Sequence, residues 1–265
     1  MTESPTEGII VKIVIIGGTG LIGSKVAQRL TAKGHEVIAA SPNTGVNTLT
    51  GEGVAEALAG ASVVIDVSNS PSFADADVLA FFETSTRNLL AAEQAAGVGH
   101  HVAVSIVGST LLPDSGYMRA KVAQEQLVAA GEVPFSIVHS TQFFEFAKSI
   151  ADGATDGDTV RIPTARFRPI ASDDVADAVA AVALGEPLNG GVDIAGPEEF
   201  RFDEFIALAL AARGDARTVV GDPEASYFGT KLADGELVPA DVTAARLGSV
   251  TFEAWQAAQS AAPTH

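Results

Sequence analysis

Apolar positions change period several times along the chain, and each change predicts an element. Ile9–Ile16 is rich in β-branched residues and apolar but for Lys12, the pattern of a strand covered on both faces. A cluster of glycines follows, and then Leu21, Ile22, Val26 and Leu30 recur at helical spacing until Gly34. His35–Ala40 predicts a second strand, residues 51–59 a short helix, and Val63–Val67 a third strand. The long helix predicted over Ala74–Ala96 carries Val78, Phe81, Phe82, Ser85 and Leu89 on one face. His101–Ile106, Tyr117–Ala130 and Phe135–Val138 then read as strand, helix and strand.

Strands alternating with helices at this spacing make parallel βαβ units. The expected fold class is α/β: a doubly wound parallel sheet (Rossmann fold) with a small C-terminal substrate lobe. The rhythm breaks near residue 145. Residues 145–169 mix Gly, Asp, Arg and Pro, Ser172–Leu184 predicts a helix with a Ser cap, and Val192–Ala195 a short strand. From Pro197 onward the pattern is mainly helical, with Phe202, Phe205, Phe228, Phe252 and Trp255 as packing anchors. The predicted core takes residues 9–144 with 170–196 and the lobe 145–169 with 197–260, after a flexible N-terminus over 1–8.

Composition narrows the function classes. A net charge of −17 repels phosphate backbones and anionic lipids, which argues against nucleic acid and membrane surfaces as partners. There are no cysteines, so thiol catalysis, disulfides and thiolate metal sites are excluded together. No apolar run reaches the ~20 residues of a bilayer span. The opening MTESPTEG lacks the basic and apolar parts of a secretory signal, so a cytoplasmic location is expected. A homodimer stays open.

Gly17, Gly20 and Gly23 form G-x-x-G-x-x-G between the first strand and the first helix. In that context Gly17 permits a tight turn, Gly20 lets backbone approach a pyrophosphate, and Gly23 allows close helix packing. Gly17, Thr19, Gly20, Leu21, Ile22 and Gly23 are therefore the expected phosphate cradle of a bound dinucleotide, at a helix N-terminus whose free N–H groups favour anions. A site specific for NAD usually has Asp or Glu after the second strand; here stand Ser41 and Pro42. The preference expected is NADP (NADPH), with NAD possible. Later strand ends supply Val67, Ser68 and Asn69 near the adenosine and ribose, and Thr141, Gln142 and Phe143 near the nicotinamide.

GGTGLIG, FFETSTRNLLAAEQAAGV, HHVAVSIVG, GYMRAKVAQEQL, TQFFEF and RPIASDDVADAV together resemble the atypical and extended short-chain dehydrogenase/reductases, nearest the NmrA-like group. Tyr117 and Lys121 form Y-x-x-x-K, and residues four apart share a helix face, so the ammonium is expected beside the phenol, lowering its pKa. The resemblance implies that Tyr117 protonates the substrate oxygen and that Lys121 also bonds the nicotinamide ribose. Ser105, twelve residues before Tyr117, is the candidate for the serine that orients the substrate carbonyl and a neighbour of the cofactor; Ser109 competes with it. The position near Phe82 where the family carries an asparagine is apolar here, a departure from the family's proton relay.

These readings point to an NAD(P)H-dependent reductase acting on a carbonyl, quinone or activated C=C of a small molecule. A non-catalytic NmrA-like dinucleotide sensor is the alternative from another class. A sugar-nucleotide epimerase ranks last, because such chains usually carry a larger C-terminal lobe. No metal is expected: adjacent His100 and His101 on a strand point to opposite faces. Arg161, Arg166 and Arg168 read as loop arginines near the cleft, either solvated or anion-binding.

Overall fold

The computed structural model describes residues 10–261; the segment 1–8, expected to be flexible, and Ile9 lie outside them. The chain runs through β1 (Lys12–Ile16), α1 (Leu21–Ala32), β2 (Glu36–Ala40), α2 (Val54–Leu58), β3 (Val63–Asp66), α3 (Asp75–Ala96), β4 (His100–Ile106), α4 (Gly116–Ala130) and β5 (Phe135–Ser140). It continues through α5 (Ala147–Gly153), β6 (Thr155–Asp156), β7 (Thr159–Ile162), β8 (Arg166–Phe167), α6 (Ser172–Ala183) and β9 (Gly190–Ala195). The last part holds β10 (Phe200–Arg201), α7 (Phe202–Ala211), β11 (Thr218–Gly221), β12 (Ser226–Tyr227), β13 (Thr230–Lys231), β14 (Arg246–Leu247) and α8 (Phe252–Ala261).

Seven strands form one parallel sheet in the order β14-β9-β5-β4-β3-β1-β2. Because side chains alternate along a strand, β1 serves two cores. Ile13 and Ile15 pack with Val26 and Leu30 of α1 and Val175 and Val179 of α6, whereas Val14 and Ile16 pack with Leu58 of α2 and Leu89 of α3. The chain leaves β1 for β2 on one side and returns to β3 on the other. That reversal is the switch point where open α/β sheets bind ligands beyond the strand ends.

A third core joins the lobe to the start of α4: Phe144, Phe167, Phe202, Phe205, Tyr227, Phe252 and Trp255 pack with Leu112 and Met118. Beyond Pro197 the expected, mainly helical reading needs correction. Among the described residues only α7 and α8 are helical there, and residues 212–251 fold as short strands and turns. Apolar anchors spaced irregularly do not distinguish a helix from a turn-rich segment whose aromatics happen to converge. Arg246–Leu247, placed in the lobe by the sequence, adds an edge strand to the core sheet beside β9. Ser172 is not the cap of α6: Ala171 holds that position, and the Ser172 hydroxyl donates to Glu145 at 2.5 Å.

Candidate cofactor and active site

The glycine turn is built as its spacing requires. Gly17 has φ +77°, and a Cβ there would lie 2.9 Å from the Ser68 backbone. A Cβ on Gly23 would come within 2.3 Å of the Gly17 carbonyl, so the first turn of α1 sits directly on the loop. Gly20 caps α1 in an extended conformation, and its Cβ would meet only the Gly17 oxygen, at 3.3 Å. Thr19, Gly20 and Leu21 are exposed, while Ile22 turns its side chain into the core. The first turn of α1 has neither an acidic residue nor a side-chain cap, which leaves its N–H groups directed at the mouth of the sheet.

At the end of β2, Ser41 is buried and Pro42 opens a single tight turn over Pro42–Thr44. The Ser41 hydroxyl finds no hydrogen-bond partner among the described residues. The same holds for the Thr141 hydroxyl beyond β5. Neither amide atom of Gln142 has a partner of good geometry, although the Tyr227 phenol lies alongside. Buried polar atoms normally find partners, and these gather at the strand ends around the switch point. They fit a polar ligand of dinucleotide type. Phe143 is half-buried against Phe146, and Phe144 belongs to the lobe core.

At the end of β3, Ser68 donates through both its hydroxyl (2.6 Å) and its N–H (3.0 Å) to buried Asp66, while Val67 is half-buried. Asn69 accepts a hydrogen bond from the Tyr117 hydroxyl at 3.1 Å. It thereby takes the place beside the phenol that Lys121 was expected to hold.

Lys121 points inward. Its ammonium donates to the Val104 carbonyl at 2.9 Å and to Gln124, and lies 4.4 Å from the centre of the Phe82 ring. Gln124 in turn donates to Asp66 at 2.9 Å, so a buried polar chain links Lys121 to the end of β3. Burial pulls the Lys121 pKa down to about 8, against the opposing pull of Asp66 and Glu125. Burial also pushes the Tyr117 phenol up to about 12, the Asn69 hydrogen bond offsetting part of the rise. The expectation of a phenol acidified by its lysine is therefore corrected. A shared helix face brings the two residues together, but rotamers decide where the long side chain ends.

Ser105 and Ser109 do not compete for one carbonyl here. Both hydroxyls donate to Glu125, Ser109 at 3.3 Å. The second Glu125 oxygen lies 3.3 Å from His139 Nε2, and His139 Nδ1 lies 3.2 Å from Asp193. Burial opposes ionisation of Glu125, but the His139 and Ser105 hydrogen bonds hold its carboxyl below the ordinary value. Burial likewise opposes charge on His139, and the two carboxylates outweigh it, raising its pKa. In this arrangement the Ser105 hydroxyl is directed at Glu125.

Sequence reasoning missed Asp66, Gln124 and Glu125. The last two share the helix face of Lys121 and could have been found by the spacing that singled out the Tyr–Lys pair. Nothing in the sequence brought Phe73 and Phe228 to Tyr117, where their ring centroids stand 5.5 and 5.4 Å away. His100 and His101 are structural: His100 meets Ser136 at 2.8 Å and His101 meets Glu93 at 2.8 Å. Arg161 faces Asp222 and Arg166 pairs with Asp234, while Arg168 donates to the carbonyls of Gly196 and Pro197. No cluster of metal-ligating residues occurs among the described residues, and no helix there is long and apolar enough to cross a membrane.

The model of a family described as NAD(P)H-binding matches residues 17–186, from the glycine turn through α6. No curated protein matches the chain. MoeE5 in complex with UDP-glucose and NAD is similar in structure, with a TM-score of 0.71 at 17% identity, over 94% of this chain and 97% of that one. A short-chain dehydrogenase/reductase superfamily protein from Agrobacterium tumefaciens with bound NAD gives 0.70 at 18%, over 93% and 95%. UDP-glucose 4-epimerase from Thermus thermophilus in complex with NAD gives 0.66 at 18%, over 85% and 91%. At such identities the likeness establishes a shared fold.

Proposed function

The chain belongs to the NAD(P)H-binding family, and from that premise we propose that it is a reductase of the short-chain dehydrogenase type, using NADPH in preference to NADH. Its substrate is a carbonyl, quinone or activated C=C in a small molecule. The observation that carries this reading is the Tyr117 hydroxyl at the mouth of the sheet, bonded to Asn69, with the unpartnered polar atoms of Thr141 and Gln142 beyond the same sheet edge.

When bound, the dinucleotide supplies a hydride. The N–H groups opening α1 would hold its pyrophosphate, and Ser41 would face the adenosine ribose, with no carboxylate there to repel a 2′-phosphate. Thr141 and Gln142 offer donors and acceptors to a carboxamide. Tyr117, whose phenol is protonated at neutral pH, would be the group that gives a proton to the substrate oxygen. Lys121, Gln124 and Asp66 position the α4 face and the end of β3 around it.

The test follows NADPH absorbance against aldehydes, ketones, quinones and enones. Tyr117→Phe should leave cofactor affinity nearly intact while lowering turnover by about 10²–10⁴-fold. Cofactor binding without turnover of any member would favour a dinucleotide sensor instead. One observation keeps a sugar-nucleotide substrate as the second reading. The chain covers 97% of MoeE5, a protein in complex with UDP-glucose, so its length and lobe do not exclude that class. A UDP-sugar arm in the same panel separates the two.

A further inference from the structure

The tight hairpin joining β12 to β13 carries Phe228 and Gly229 at its tip, with φ +47° and +81°. Two successive left-handed residues are normally Asn-Gly or Asp-Gly, because a side chain branching to a large ring is disfavoured there. Phe228 is 42% exposed and does not anchor the hairpin, since neighbouring Tyr227 does so by packing on Phe202 in the lobe core. A strained, half-exposed aromatic thus sits where the turn itself would favour asparagine.

Its ring is directed at the active-site tyrosine. Phe228 stacks on Tyr117 at 5.4 Å with 21° between the planes, and Phe73 lies 5.5 Å from Tyr117 and 6.0 Å from Phe228. Phe73 is itself 56% exposed, in the loop after β3 whose Asn69 holds the Tyr117 hydroxyl. Two loops from distant parts of the chain therefore place apolar rings on one phenol.

We infer that Phe73 and Phe228 are specificity-determining residues, forming aromatic jaws that select a flat, conjugated substrate such as an aryl carbonyl or quinone. A ring inserted between two others needs near-parallel planes about 7 Å apart, so the 6.0 Å separation must widen by about 1 Å and the 49° tilt between Phe73 and Phe228 must close around the ligand. The jaws have no polar group to repay the desolvation of hydroxyls on a sugar or polyol. The hydroxyl of Tyr117 then lies at the edge of the stack, where a ring carbonyl would project.

The inference rests on the reductase reading only in taking Tyr117 as the group that meets the substrate, so its test is binding rather than turnover. The protein–NADP⁺ complex is titrated with 2-naphthol and with its saturated, puckered analogue decahydro-2-naphthol, followed by tyrosine and tryptophan fluorescence and checked by calorimetry. Wild type should bind the flat ligand about tenfold tighter, and Phe228→Asn or Phe73→Ala should bring the ratio to within about twofold of one. Phe228→Asn should melt within about 5 °C of wild type, because the better turn residue offsets part of the lost ring contacts, and this keeps the loss of preference from being read as unfolding. Equal binding of both ligands by wild type, or a preference unchanged in both variants, would overturn the proposal. Flat-ligand preference without turnover of any panel member would sink the reductase reading and leave the aromatic jaws standing.

Discussion

The phosphate turn can be tested by two glycines that the structure separates physically. Gly20 has φ −80° and ψ −177°, a conformation open to any residue, and an added Cβ meets only one oxygen at 3.3 Å. Gly20→Ala should therefore cost no more than about 1 kcal/mol, since only the Gly17 oxygen has to give by a few tenths of an ångström. Both Gly20→Ala and Gly20→Val place carbon at the exposed mouth of α1, and Val should raise the Kd for NADP⁺ and NAD⁺ alike by more than about tenfold, through lost approach to the pyrophosphate. Gly23 differs. Its Cβ would fall 2.3 Å from the Gly17 oxygen, 2.6 Å from Gly18 Cα and 2.9 Å from the Gly17 carbonyl carbon, all backbone that cannot rotate away. Gly23→Ala must push helix and loop apart, at a cost of about 1–3 kcal/mol. At about 2–4 °C per kcal/mol for a chain of this size, the melting temperature should fall by roughly 2–12 °C. Thermal melts combined with calorimetric titration give the two readouts. A Gly20→Val protein that melts like wild type and binds both cofactors with unchanged affinity would refute the assignment of the turn.

Two further outcomes follow from the site. Ser41→Asp should shift preference toward NADH, by about tenfold in the ratio of Kd values, because a carboxylate there repels a 2′-phosphate and accepts from a 2′-hydroxyl; tighter binding of NADH than NADPH by wild type would contradict the reasoning. The Glu125–His139 pair should give a pH-dependent stability. His139, raised, stabilises fully below about pH 6.5 and loses its contribution as pH rises through its folded pKa, whereas Glu125, lowered, stabilises above about pH 4.5 and loses it as pH falls through its own. His139→Gln should accordingly cost about 1–3 kcal/mol near pH 6 and progressively less in alkaline solution, measured by urea unfolding across pH; a deficit constant from pH 5 to 9 would show that the ion pair is not responsible.

The parallel sheet was legible because its signals are local. Ile9–Ile16 reads as a buried strand from residue types alone, and Gly17–Gly23 declares a turn because a left-handed backbone at Gly17 and close approaches at Gly18 and Gly23 leave no room for a side chain there. The Tyr117–Lys121 face of α4 was legible for the same reason, since helical periodicity decides it. Where the Lys121 ammonium ends was not, because Gln124 from its own helix and Val104 from β4 outbid Tyr117 for it. The C-terminal turns were hidden for a related reason. Phe202, Tyr227, Phe252 and Trp255 are far apart in sequence and agree on one core only after the whole chain has folded.

The same distinction explains how chemistry and selection are divided in this molecule. The residues proposed for cofactor and proton transfer sit at the ends of β1, β2, β3 and β5 and on α4, elements whose geometry the buried sheet holds. Phe73 and Phe228 stand on connections with exposed rings, and Phe228 holds a conformation its own residue type disfavours. A rigid sheet can keep Tyr117 and the phosphate turn fixed while two loops change what is admitted over them. Substitution at the jaws should then alter which molecules bind without moving the glycine turn, whereas Gly23→Ala should damage fold and cofactor affinity together. That separation also accounts for a site whose phosphate cradle announces itself in seven residues while its substrate walls come from positions some 150 residues apart, with only the folded chain to join them.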